Sequence, residues 1–216
     1  NRVFFVGSLV TALSQGYMLG AYILGLRGDL VAVQFGLVVA LCLTAGYAAI
    51  GAAWLIYKTE GDLQKRAVGW MQRALLLALV GMIVVSLATP FASPRIFERW
   101  FSVPEILALA PLPLMTGFLF VFLFWQLAFL PDRNDRFALV PFVGMTGIMV
   151  LGFAGLAYSF YPYVVPEKTT IYEAAAAPES LIIVLAGALV VIPVIVGYSI
   201  FAYRVFGGKA TELRYD

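Results

Sequence analysis

KTEGDLQKRA, from Lys58 to Ala67, carries five charged residues in ten: Lys58, Glu60, Asp62, Lys65 and Arg66. The chain on either side carries almost none. Leu30–Tyr57 before it is free of charge, and after Arg73 so is Ala74–Pro94. Two apolar runs with a short charged break between them predict two membrane-crossing helices joined by a turn. The rest of the sequence repeats this pattern.

Six charge-free runs are present: Val3–Leu26, Leu30–Tyr57, Ala74–Pro94, Ile106–Pro131, Phe137–Pro166 and Ser180–Tyr203. The shortest has 21 residues. About 20 apolar residues cross a hydrocarbon core of about 30 Å. In lipid the backbone must satisfy its own hydrogen bonds, so runs of this length are helices. The alternation of a membrane barrel is absent. With 62% hydrophobic and 12% charged residues in 216, the composition excludes a soluble domain. The expected fold is all-α, a polytopic transmembrane bundle in one membrane domain over residues 1–216. Its spans are expected near 3–26, 30–57, 74–94, 106–131, 137–161 and 180–203. The first run lacks a basic leader and a cleavage site, so it is not a signal peptide.

Lys and Arg divide unevenly between alternate loops. Arg2, Lys58, Lys65, Arg66, Arg73, Arg133, Arg136, Arg204, Lys209 and Arg214 fall on one side; Arg27, Arg95, Arg99 and Lys168 fall on the other. The positive-inside rule places the first side, with both chain ends, in the cytosol. Lys58–Ala67 alone reads as a topology anchor there. Glu60 is expected to pair with Lys58 or Arg66.

Several chemistries are excluded. The chain has no His and one Cys, so it lacks the commonest haem and metal ligand and cannot form an internal disulfide. Cys42 reads as a small packing residue. No charged residue lies inside the six runs, whereas ion-coupled transport usually shows one. There is no phosphate-binding glycine loop and no basic tract for nucleic acid. No catalytic or metal-ligating residue is assigned.

The helices offer packing surface instead. Gly16 and Gly20 form a small-xxx-small pair, with Ser8, Thr11 and Gln15 on nearly the same stripe. Packing within the chain is the plainer reading of this Gln15, Gly16 and Gly20 face, and assembly with a partner the second. On the second reading, Leu at either glycine weakens subunit association while Ala is tolerated. Ala45, Ala49 and Ala53 repeat the spacing in the second run, and Gly144, Gly147, Gly152 and Gly155 in the fifth. The fourth run crowds Phe118, Phe120, Phe122, Phe124, Trp125 and Phe129 around its circumference. Such a helix meets lipid and core, or lines a quinone or carotenoid pocket. Pro111 and Pro113 should delay its start, and Pro193 should bend the last helix. YPYVVPEKTTIYEAAAAPESL, with three Glu, suggests an ordered cap. Tyr158, Tyr161 and Tyr163 fit an interfacial aromatic belt.

Taken together, several segments resemble subunit II of cytochrome bd-type quinol oxidases, including the cyanide-insensitive branch. KTEG followed by DLQKRA resembles that subunit's signature loop, at Lys58, Thr59, Glu60 and Gly61. GSLVTALSQGYMLGAYILG resembles its helix with the QG and LG pairs. YPYVVP, TTIYEAAAAPESL and the closing YRVFGGK follow in the family's order. The resemblance covers nearly all 216 residues. The further helices and GFDLG-type motif with which family members begin have no counterpart here. The resemblance therefore implies the C-terminal part of a longer subunit, and no proton-path residue is carried over.

The resemblance implies a non-haem subunit supporting a haem-bearing subunit I, which oxidises quinol and reduces oxygen to water. Haems b and d would lie in that partner, and this chain would bind none. Some members hold a structural quinone or a small single-helix accessory subunit. Membrane lipid is the remaining partner, nucleic acid is not one, and the site is the bacterial plasma membrane. The rival reading is a subunit of a transporter or channel, which the helix count permits.

Overall fold

In the computed structural model, residues 1–92, 94–132, 135–166 and 168–210 are described, apart from the side chains of 92, 94, 95 and 108. Arg133, Arg214, the Arg95 side chain and Glu167 of the expected cap therefore lie outside the described residues. Among the described residues, nine helices and one small sheet follow in order. They are α1 (Arg2–Ile23), α2 (Leu30–Lys58), α3 (Gly61–Ala92), α4 (Pro94–Phe101), α5 (Glu105–Leu109), α6 (Pro111–Leu127), α7 (Val140–Phe160), β1 (Tyr163–Val165), β2 (Thr169–Thr170), α8 (Ile171–Ala174) and α9 (Pro178–Val205). Among the described residues, six segments are long and apolar enough to cross a membrane: α1, α2, α3, α5–α6 taken together, α7 and α9.

The third span departs most from the sequence reading. Its helix starts at Gly61 rather than near residue 74, so only Thr59 and Glu60 remain outside helix in the charged stretch. Charge marks where the bilayer ends, not where a helix ends, and Leu, Gln, Lys and Arg all propagate helix well. Gly61 enters at φ +64, a conformation open to glycine and strained for other residues. The fourth span is broken rather than continuous, with α5 and α6 meeting at Ala110. Pro111 and Pro113 have no N–H to give to the preceding turn. The ladder resumes where the Leu114 N–H donates to the Ala110 carbonyl at 3.3 Å. The first span ends at Ile23 instead of Leu26, because Gly25 (φ +68) and Leu26 (φ +57) leave the helical region. The fifth starts at Val140 and the last runs unbroken through Pro193 to Val205.

Helices α2, α3, α6 and α7 close a ring, in which α2 packs on α3 and α7, and α6 packs on α3 and α7. Ala49, Ala53, Ile56, Ala67, Met71, Leu75, Phe120, Leu123, Leu127, Met145 and Ile148 fill its centre. Without a hydrophobic drive between helices in lipid, close packing must hold such a ring, and small residues supply it. Several glycines act as sockets. The Met149 methyl sits over Gly46, the Cys42 side chain over Gly81, and Leu123 over Gly144. Helix α1 lies outside the ring against α2. Helix α9 has no buried residue and meets the body through Tyr203, whose ring centroid is 5.7 Å from that of Trp54.

The end of the bundle opposite Lys58 is covered by α4, the β1–β2 pair and α8. The strands run antiparallel, with Tyr163 opposite Thr170. A capping box starts α8: the Thr170 hydroxyl accepts from the Glu173 N–H at 3.2 Å, and Glu173 accepts from the Thr170 N–H at 2.8 Å. The Tyr22 hydroxyl donates to the Val164 carbonyl, tying the cap to α1. The Arg99 guanidinium donates to the Tyr161 carbonyl and stands 5.0 Å from the Tyr158 ring. Tyr158 and Tyr161 therefore cradle a cation, beyond the lipid-facing role their position suggested.

Candidate functional site

The last carbonyls of any helix lack partners within it. At the end of α2 they are taken up by a knot built from distant segments. The Thr59 N–H and hydroxyl both donate to the Leu55 carbonyl, at 2.9 and 2.7 Å. The Ile56 carbonyl accepts from Gln64 Nε2 at 3.1 Å and from Lys209 Nζ at 3.3 Å. The Lys58 carbonyl accepts from the Ala210 N–H at 2.8 Å, and the Thr59 carbonyl from Lys209 Nζ at 2.8 Å. The Lys209 ammonium thus stands at the negative end of the α2 dipole, where cations are favoured.

Lys58 reaches the other way. Its Nζ donates to the Phe206 carbonyl and, at 2.9 Å, to the Gly208 carbonyl. The same ammonium stands 5.2 Å from the Trp54 ring centroid and 5.1 Å from that of Tyr57, a favourable cation–π arrangement. Asp135 completes the knot from the turn before α7. It accepts from Gln64 Nε2 at 2.6 Å and pairs with Lys209 at 3.2 Å. Asp135 holds φ +49, a left-handed conformation that Asp adopts more readily than most residues. Its two side-chain partners hold it there.

Of the signature loop, Lys58, Thr59 and Gly61 thus have structural roles. Glu60 does not pair with Lys58 or Arg66; it makes no ion pair among the described residues. Lys58 points into the carbonyls of the C-terminal tail, away from the loop. The sequence alone does not mark Gln64, Asp135 and Lys209 as site residues. The available signal was the resemblance carried by KTEG and by the closing YRVFGGK, and these two segments bond to each other.

The Gln15, Gly16 and Gly20 face divides. Gly16 and Gly20 are buried against α2 of the same chain. A β-carbon on Gly16 would collide with Ala40, and one on Gly20 would stand 2.6 Å from the Gly36 Cα. These contacts are backbone, so even Ala has no room, which corrects the expectation that Ala is tolerated at both. Gln15 turns outward and accepts from the Tyr47 hydroxyl at 2.9 Å. With Phe4, Gly7, Ser8, Thr11 and Ala12 it lines an open notch between α1 and α2.

The ring contains no group of three or more His, Cys, Asp or Glu among the described residues. Three of its sulfur side chains are engaged in packing: Cys42 fills the Gly81 socket, and Met145 and Met149 cover Gly46, while Met115 on α6 is exposed. A haem needs an axial ligand facing a plane wide enough for the macrocycle, and the three packed side chains lie directly against helix backbone. The chain has no His to supply the commonest axial ligand.

The family model for cytochrome bd terminal oxidase subunit II matches residues 1–206. The chain belongs to that family. No curated protein matches it. Subunit II is part of a membrane quinol oxidase of aerobic respiration, an oxidoreductase assembled with a partner oxidase subunit. The transporter reading is not favoured. In this chain the knot at Lys58 and Lys209 ties the end of α9 and the turn before α7 to the end of α2.

Proposed function

We propose that this chain is the haem-free, non-catalytic subunit of the oxidase, supporting a haem-bearing subunit I that oxidises quinol and reduces oxygen. The observation that carries this is the missing ligand set. There is no His in 216 residues, and His is the commonest axial ligand of haem iron. Haems b and d belong in this reading to the partner.

The same reading places the complex in the bacterial plasma membrane. The end of the bundle with Lys58 and Lys209 faces the cytosol, on the ten-to-four division of Lys and Arg. A structural quinone and a small single-helix subunit are further ligands of this reading. In the notch, the Ser8 hydroxyl and Gln15 Nε2 are the donors for a quinone carbonyl, since the Thr11 and Tyr47 hydroxyls donate to the Gly7 carbonyl and Gln15 Oε1.

Affinity purification through a tag on this polypeptide, from cells expressing the complete oxidase, tests the assignment. A haem-bearing polypeptide should co-purify in equal amount, with quinol-dependent oxygen uptake in the eluate. Recovery without any haem protein would overturn it.

A further inference from the structure

Helix α3 is longer than a bilayer needs. Counting back from Ala92, Arg73 lies about 28 Å along the axis, close to the full thickness of a hydrocarbon core. The three turns from Gly61 to Trp70 therefore rise through the headgroup layer. One side of this rise is committed to the bundle, where Ala67, Val68, Met71 and Leu75 are buried.

The other side carries Leu63, Arg66, Trp70, Arg73 and Leu77 at spacings of three and four, one stripe of a helix. All five are exposed. Neither arginine forms an ion pair among the described residues; the nearby Asp62 carboxylate is 3.8 Å from Lys65 Nζ instead. Gly69 adjoins the stripe, and nothing stands within 4 Å of where its side chain would be. Toward the membrane centre the stripe continues as Leu77, Val80 and Val84, all exposed.

We propose that this stripe binds one anionic phospholipid. The two guanidinium groups, about 10 Å apart along the helix, take the phosphate and the hydroxyls of an uncharged glycerol headgroup. Guanidinium matches phosphate oxygens in pairs. Trp70 lies between them at the level where aromatic side chains anchor membrane proteins. One acyl chain lies along Leu77, Val80 and Val84. A zwitterionic lipid offers the same phosphate but adds a cation next to the arginines. The stripe therefore prefers a net negative headgroup.

The test uses the intact detergent-solubilised oxidase, titrated with dioleoyl phosphatidylglycerol or dioleoyl phosphatidylcholine and read by native mass spectrometry. Wild type should retain the anionic lipid more tightly, by roughly fivefold per arginine. Arg66→Gln should remove about fivefold of that preference, and R66Q/R73Q should abolish it. R66K/R73K should keep most of it. Arg66 lies beyond the apolar span, so the single variant decides the matter even if the double variant fails to assemble. Equal retention of the two lipids by wild type would overturn the proposal, as would an unchanged preference in Arg66→Gln. This inference rests on the chain spanning a membrane. A normal haem d spectrum without lipid preference would sink the lipid site alone. Preference that follows the arginines in a haem-free complex would sink the oxidase assignment alone.

Discussion

Lys209, beyond the last helix, and Asp135, in the turn before α7, hold opposite charges 3.2 Å apart. Both side chains are mostly buried, at 18% and 29% exposure, so water screens the pair less than a surface bridge. Lys209 also donates to two carbonyls at the end of α2. Lys209→Met removes these bonds together and leaves Asp135 short of a partner. The assembled complex should lose about 1.5–3 kcal/mol of stability, the usual range for hydrogen bonds to charged groups. Thermal denaturation followed through the haem absorbance measures it. An unchanged melting temperature in Lys209→Met would show the knot to be dispensable.

Gly16 and Gly155 separate close packing from mere small size. Gly16→Ala pushes a methyl group into the backbone of α2 and should cost about 1–3 kcal/mol, the range for overpacking. Gly155 has nothing within 4 Å of its missing side chain, so Gly155→Ala should be neutral or gain about 0.5–1 kcal/mol from helix propensity. Thermal stability of the two variants checks the contrast. Equal effects would mean that α1 is not seated on α2 as described.

Sidedness follows from residues that a reagent can reach. Gln64 is 4% exposed and bonded to Ile56 and Asp135, so a cysteine there would resist labelling from either side. Glu60 and Lys168 are exposed. With an impermeant thiol reagent on intact cells, Lys168→Cys should label and Glu60→Cys should be protected until the membrane is opened. The opposite pattern reverses the orientation.

Glu173 titrates with the cap. The Thr170 backbone N–H, and next its hydroxyl, hold the carboxyl below the usual glutamate range. A depressed folded value means that its contribution is full above the unfolded value and is lost as pH falls through the folded one. Amide exchange at Thr170, corrected for the intrinsic pH dependence, should stay protected at neutral pH and rise in acid. Glu173→Gln should remove that pH dependence. Identical acid behaviour in both proteins would show that the capping box does not order this segment.

The membrane spans were legible because the bilayer imposes a length on apolar runs, and all six appear as helices. The start of α3 was not legible from charge, since Asp62, Lys65 and Arg66 lie in helix that has left the hydrocarbon. The break at Ala110 was legible in kind, from Pro111 and Pro113, but not its place. The Gly16 and Gly20 spacing announced close approach without naming the neighbour, and Gly36 and Ala40 of the same chain supply it. The knot was beyond local pattern altogether. Lys58, Asp135 and Lys209 lie far apart in sequence, and each reads singly as an ordinary loop charge.

The most direct measurement is a reduced-minus-oxidised spectrum of two preparations. One is this polypeptide purified alone; the other is the complex with its haem-bearing partner. The account predicts no haem bands and no oxygen uptake from the first. From the second it predicts the long-wavelength band of haem d and quinol-dependent oxygen uptake. Stoichiometric haem in the isolated polypeptide would contradict it.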